Sequence, residues 1–231
     1  MTLPAYRLVN GDTGPRQQSP VTCGSACLTT ARMLVDPAFA HWIATGEGLP
    51  GSPEGRSPAD RFAAYERIVH RRTNGFTLDR SGLNVPWPRF LGTPPWGAKR
   101  ELEFGAAKHG TDYAITVVRP LTHDQLAQVF ERLNAVVADG MPALLYVGSA
   151  TLPRHVLLVL PGNGDDRLDV YDPADGSVRA RSVGSFASHE VKISGWNVPW
   201  FVIAPTGPRA VRGRLRLQRY AGLAEGDVSP A

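Results

Sequence analysis

The sequence predicts an α+β protein, with helices concentrated in the first half of the chain and an antiparallel sheet in the second. Two observations carry the prediction. Capped segments with apolar residues three and four apart lie upstream of residue 75, and five short aliphatic or alternating runs bounded by Gly and Pro lie downstream of residue 111. The 231 residues, 42% hydrophobic and 20% charged, suffice for one substantial core.

Residues 1–22 read as irregular, broken by Gly11, Gly14, Pro15 and Pro20. Residues 23–34 read as a helix, because Ala26, Cys27, Thr30, Ala31 and Leu34 recur on one side. Asp36 followed by Pro37 is an N-cap with proline at the first helical position, and opens a second helix to about Thr45. A Gly/Pro/Ser-rich loop follows. Ser57 or Asp60 then caps a third helix that ends near Asn74 and Gly75. Residues 75–98 hold many Pro, Gly and Trp, and read equally as a lid or substrate-groove wall and as a packed connector.

Residues 112–119 form a first strand. Thr122 caps and Gly140 stops an amphipathic helix whose buried stripe is Leu126, Val129, Phe130, Leu133, Val136 and Val137. Strands follow at 141–148, 154–160, 167–173 and 198–205, and the helix at 23–34 is expected to pack against their sheet. Residues 1–205 read as one domain, with 45–110 as an unassigned insertion or loop region. Residues 206–231 read as a basic C-terminal strand and tail.

Net charge is +4, and only three of the 25 basic residues are lysines. The densest basic stretch, 208–220, reads as a solvated strand and tail. No zinc finger, RNA-binding aromatic pair or phosphate loop accompanies it, so nucleic acid is not an expected partner. No apolar run approaches the roughly 18 residues of a membrane span, and the first residues lack the pattern of a secretory signal. The chain is expected to be cytoplasmic as synthesised, with export by a signal-peptide-independent route left open.

Cys23 and Cys27 stand four residues apart, one helical turn on one face, which is poor geometry for a disulfide. A reducing compartment follows. Further metal ligands are missing from the flanking sequence, so neither a metal nor a cofactor is expected. Cys27 reads as a buried structural thiol. Cys23 differs, because it begins the helix. A helix N-terminus carries partial positive charge and unpaired N–H groups, which stabilise a thiolate placed there. Gly24 lets another group approach the backbone closely.

A nucleophilic thiol needs a base. Of six histidines, His155 opens an apolar strand, and the segment reads as a hairpin with strands 155–160 and 167–172 around a 161–166 loop. A register centred on that loop sets His155 directly opposite Asp172 on one face, with Cβ atoms about 5 Å apart. A carboxylate there holds the imidazole by one nitrogen and leaves the other for the thiol. Asp172 also reads as the cap of the turn that Pro173 begins. His41, His70, His109 and His123 have no carboxylate so placed, and His189 is the one rival base. The backbone N–H of Cys23 and the amide of Gln17 or Gln18 are the candidate donors to an oxyanion.

The segment 17–28, QQSPVTCGSACL, resembles the active-site segment of papain-like cysteine peptidases, where Gln precedes the nucleophile by six residues. Within that superfamily the chain is most similar to the bacteriocin-processing, double-glycine-leader peptidase domain and its stand-alone relatives. That group has Cys-Gly-x-Ala, then a His opening an apolar strand, then Asp-Pro; CGSA, HVLLVL and YDP match it here. The resemblance spans residues 16–35 and 140–205. It implies a papain-like fold, with Cys23 as nucleophile, His155 as base, Asp172 as the orienting residue and Gln17 as the oxyanion glutamine. Gln18 replaces Gln17 if the register differs by one. The chain departs from the group at Thr22, where Asp is common, and carries no membrane segment or ATPase motif. The resemblance therefore implies the chemistry of the site and a peptide or protein substrate, but not a transporter. Deamidation or transamidation of glutamine in an effector or toxin, on the same triad, is the alternative reaction. A non-catalytic peptide-binding module is the alternative without chemistry.

Overall fold

Each helix expected upstream of residue 75 is present in the computed structural model, which describes residues 3–75, 77–79, 82–84, 87–88, 92–162, 166–190 and 192–208. Helices α1 (Cys23–Val35), α2 (Pro37–Thr45) and α3 (Pro58–Asn74) follow one another closely. The Asp36 side chain accepts the Phe39 N–H at 3.0 Å to open α2, and left-handed Gly46 closes it. Ser57 and Asp60 both cap α3, each accepting the other's backbone N–H in a capping box.

The segment beyond α3 holds more structure than its composition announced. A small hairpin pairs β1 (Thr77–Asp79) with β2 (Gly82–Asn84). Helix α4 (Pro95–Glu101) then runs into a π-helical turn at Leu102–Ala106. The rest of the chain supplies β3 (Thr111–Val117), α5 (His123–Val137), β4 (Ala143–Gly148), β5 (Pro153–Val159), β6 (Arg167–Tyr171), β7 (Val178–Ser182), α6 (Val183–Ala187) and β8 (Val198–Pro208). Strands β3 to β8 form one antiparallel sheet in the order β3-β8-β4-β5-β6-β7. The class is α+β, as expected. The expected strand at 198–205 extends to Pro208, and the tail at 209–231 lies outside the described residues.

The sheet is covered on both faces. Leu144, Tyr146, Val156, Leu158 and Tyr171 pack with α1, α2 and α3 in one cluster. Leu145, Leu157, Val159, Leu168 and Val170 pack with Leu126, Phe130, Leu133 and Val137 of α5 in the other. Double coverage explains why β4 and β5 read as unbroken aliphatic runs rather than alternating ones. It also buries α1 almost all round: every residue from Cys23 to Ala31 is buried, so the one-sided stripe read from sequence understates that helix.

The hairpin register needs correction. Leu158 pairs with Tyr171 and Val159 with Val170, two residues away from the register that sets His155 opposite Asp172. Strand β6 pairs with β5 only over those residues but with β7 along its whole length, so the edge partner that the sequence did not announce anchors it. A slip of two preserves the face, because side chains alternate with period two. His155 and Asp172 therefore remain on one side, related diagonally, with Asp172 just past the end of β6.

Candidate active site

Cys23 is the first residue of α1. No acidic residue occupies the first turn, and the N-cap Thr22 makes no side-chain cap bond. Its hydroxyl is engaged within the preceding loop instead, donating to Ser19 O at 2.9 Å and accepting from Ser19 N at 3.1 Å. The partial positive end of α1 is left to the thiol. Gly24 is required by a close approach: a Cβ built there would lie 2.6 Å from Cβ of Thr93. Thr93 in turn bonds Ser25 Oγ at 3.2 Å, and its carbonyl accepts from the Tyr146 hydroxyl at 3.0 Å.

His155 is the third residue of β5. The turn that delivers it is tight, since a Cβ on Gly148 would lie 2.1 Å from Leu152 O. His155 Nε2 meets Asp172 Oδ1 at 2.7 Å, and both residues are only 6% exposed. The carboxylate is held on three sides. Oδ1 also accepts the Ala174 N–H at 2.9 Å, and Oδ2 accepts the Ser194 hydroxyl at 2.7 Å. Asp172 thus caps its turn and orients the histidine at once; the two roles read from sequence do not exclude each other.

The electrostatics follow. Burial alone would drive the proton off His155. Hydrogen bonds to Asp172 and Cys23, and the charges of both, outweigh it and push the ring up to about 9. Burial would raise the Asp172 carboxyl, but the bonds from His155, Ser194 and Ala174 hold it below the usual carboxylate range. The pair is an imidazolium against a carboxylate at neutral pH.

Cys23 and His155 line one cleft together with Trp87, Thr93, Pro95, Pro153, Arg154 and Phe201. The cleft is narrow, with only about 20 Å³ of free space, and Cys23 is 3% exposed. Trp87 packs edge-on against Trp96 with ring centroids 5.0 Å apart, and its indole N–H is buried with no partner among the described residues. Of residues 75–98, Trp87, Thr93 and Pro95 line this cleft, and residues 92–95 are buried.

Gln17 is tied to the turn that carries Asp172, donating its backbone N–H to Pro173 O at 2.9 Å. Its amide nitrogen donates to Ser19 O at 2.8 Å, and its Oε1 is buried without a partner among the described residues. Gln18 is exposed and turns its amide back to Arg16 O. The irregular N-terminal segment therefore has a definite course. It runs along the sheet edge through Gly11 N to Val178 O, Val178 N to Asp12 O and Gly14 N to Gly176 O, and sets Gln17 beside the Asp172 turn.

Cys27 is fully buried, its thiol donating to Val156 O at 3.4 Å, and burial pushes that thiol well up. His189 lines none of this cleft. Sequence reasoning missed Ser194, which sits with Gly195 in a two-residue turn of positive φ bridged by Ile193 and Trp196. A Ser-Gly pair flanked by large apolar residues was the available signal. No protein-family model matches the chain, and no curated protein matches its sequence.

Proposed function

We propose that the chain is a papain-like cysteine hydrolase acting on peptide bonds. The observation that carries this reading is the buried His155–Asp172 pair at 2.7 Å, in one cleft with the thiol that opens α1. The Cys23 thiolate attacks the substrate carbonyl, and the Cys23 N–H receives the oxyanion, joined by the Gln17 amide when it turns from Ser19 O toward the cleft. The His155 imidazolium gives its proton to the leaving amine. The neutral ring then takes a proton from water as water attacks the thioester, and the acid product leaves. Asp172 keeps the ring in one tautomer and one orientation throughout.

The narrow cleft argues for small residues flanking the scissile bond, since a large side chain beside Cys23 would have to displace Trp87 or Thr93. A glycine beside the scissile carbonyl fits the cleft. The test is labelling by iodoacetamide followed by mass spectrometry. Cys23→Ala is expected to abolish rapid labelling and Cys27→Ala to leave it intact. Equal labelling of both variants would remove the basis of the assignment.

A further inference from the structure

Glu66 lies in the middle of α3, fully buried, and is not among the residues lining the cleft. Its carboxylate accepts the backbone N–H of Gln18 at 3.2 Å and 3.3 Å through its two oxygens, and Thr22 lies beside it. These are the residues just after Gln17 and just before Cys23. The other hydrogen bonds of this loop are largely internal: Ser19 N and Val21 N go to side chains within it, and Thr22 N goes to Ser19 O. Among the described residues two backbone ties fix the loop from outside, Gln17 N to Pro173 O on the sheet side and Gln18 N to Glu66 on the helix side. A buried carboxylate is costly, and burial raises its pKa against the bonds that lower it. Among the described residues none of its hydrogen bonds goes to a residue lining the cleft, so its contribution acts through the loop.

We propose that Glu66 is a positioning residue for acyl transfer at Cys23. Its carboxylate clamps residues 18–22, and so holds the Gln17 amide and the first N–H of α1 where an oxyanion is received. The inference rests on the acyl-transfer reading of Cys23. Displacement of such donors by about 1 Å is enough to cost a large part of the rate.

Two reagents separate this role from general damage. In acylation by p-nitrophenyl acetate, the thiolate forms a C–S bond to the ester carbonyl, an oxyanion develops, and the C–O bond breaks to release p-nitrophenolate with its electron pair. In alkylation by iodoacetamide, iodide is displaced and no oxyanion forms. Glu66→Ala is expected to slow acylation of Cys23 by about tenfold or more while alkylation stays within about twofold. Glu66→Gln keeps the reach and one acceptor and loses the charge; Glu66→Asp keeps the charge and loses the reach. The proposal requires acylation to rank Gln above Asp, a comparison that stands even if the alanine variant does not fold. Acylation and alkylation falling together, no fall in either, or Asp outperforming Gln would overturn it. Wild-type Cys23 that resists iodoacetamide would instead defeat the acyl-transfer reading itself, and the clamp with it.

Discussion

At the scale of single residues, the position after the nucleophile shows how tightly the site is fixed. Gly24 has no side chain because Thr93 occupies the space where a Cβ would be, and Thr93 is fixed in turn by Ser25 and Tyr146. Gly24→Ala forces Thr93 away from α1. Overpacking of this kind costs about 1–3 kcal/mol, and urea denaturation is expected to show a loss in that range. Gly24→Ala should also change the alkylation rate of Cys23, because Thr93 is one wall of the cleft. Unchanged stability would mean that Thr93 has somewhere to go. The residue scale was partly legible in the sequence. Cys23, His155 and Asp172 announced themselves by position in a helix start, a strand start and an Asp-Pro turn. Ser194, Thr93 and Glu66 did not, because each acts through a contact with a residue distant in sequence, and their local surroundings carry no pattern.

At the scale of elements, two side chains test how the first half supports the cleft. Arg61 on α3 is 5% exposed and donates to three carbonyls: Ile43 O at 2.9 Å, Ala44 O at 2.8 Å and Gly55 O at 2.9 Å. It satisfies the C-terminal end of α2 and the loop that follows. Arg61→Ala leaves those carbonyls without donors, and a loss of about 3 kcal/mol is expected in urea denaturation. Arg61→Lys should recover little, because a single ammonium cannot reproduce the planar fork. Trp87 tests the other side. Trp87→Ala removes a ring that lines the cleft with Cys23, so iodoacetamide should alkylate Cys23 several-fold faster; an unchanged rate would show that Trp87 does not limit access. Element boundaries were legible wherever local chemistry set them, as at Asp36-Pro37, Ser57/Asp60 and Thr122. They were not legible where tertiary pairing set them. Strand β7, with Arg179 and Arg181 alternating with small residues, lacks apolar density and exists because β6 pairs with it along its full length. The β5–β6 register was not legible from the loop alone, because only two residue pairs join those strands.

At the scale of the whole molecule, the site joins segments that the chain holds far apart, so its electrostatics must appear in folding stability. Cys23 comes from the helical half, and His155 and Asp172 from the two ends of a hairpin in the sheet half. In the folded state the His155 ring rises from an ordinary value of 6.5 to about 9. The folded chain therefore binds that proton more tightly than the unfolded chain does. The resulting stability is fully present below about pH 6.5 and is lost as pH rises through about 9. Asp172 acts at the other end: its carboxyl is held below its ordinary 3.8, so its contribution is present above that value and is lost as pH falls through the depressed one. The pair predicts a plateau of stability in mildly acidic solution and a decline toward alkaline pH. The alkaline decline attributable to His155 is on the order of 3 kcal/mol. Urea unfolding of wild type and His155→Gln across pH 6 to 10 reads it, since groups away from the site titrate alike in both. Wild type is expected to lose roughly that much more than the variant over this range. Parallel curves would mean that the ring and the carboxylate are not charged together in the folded chain.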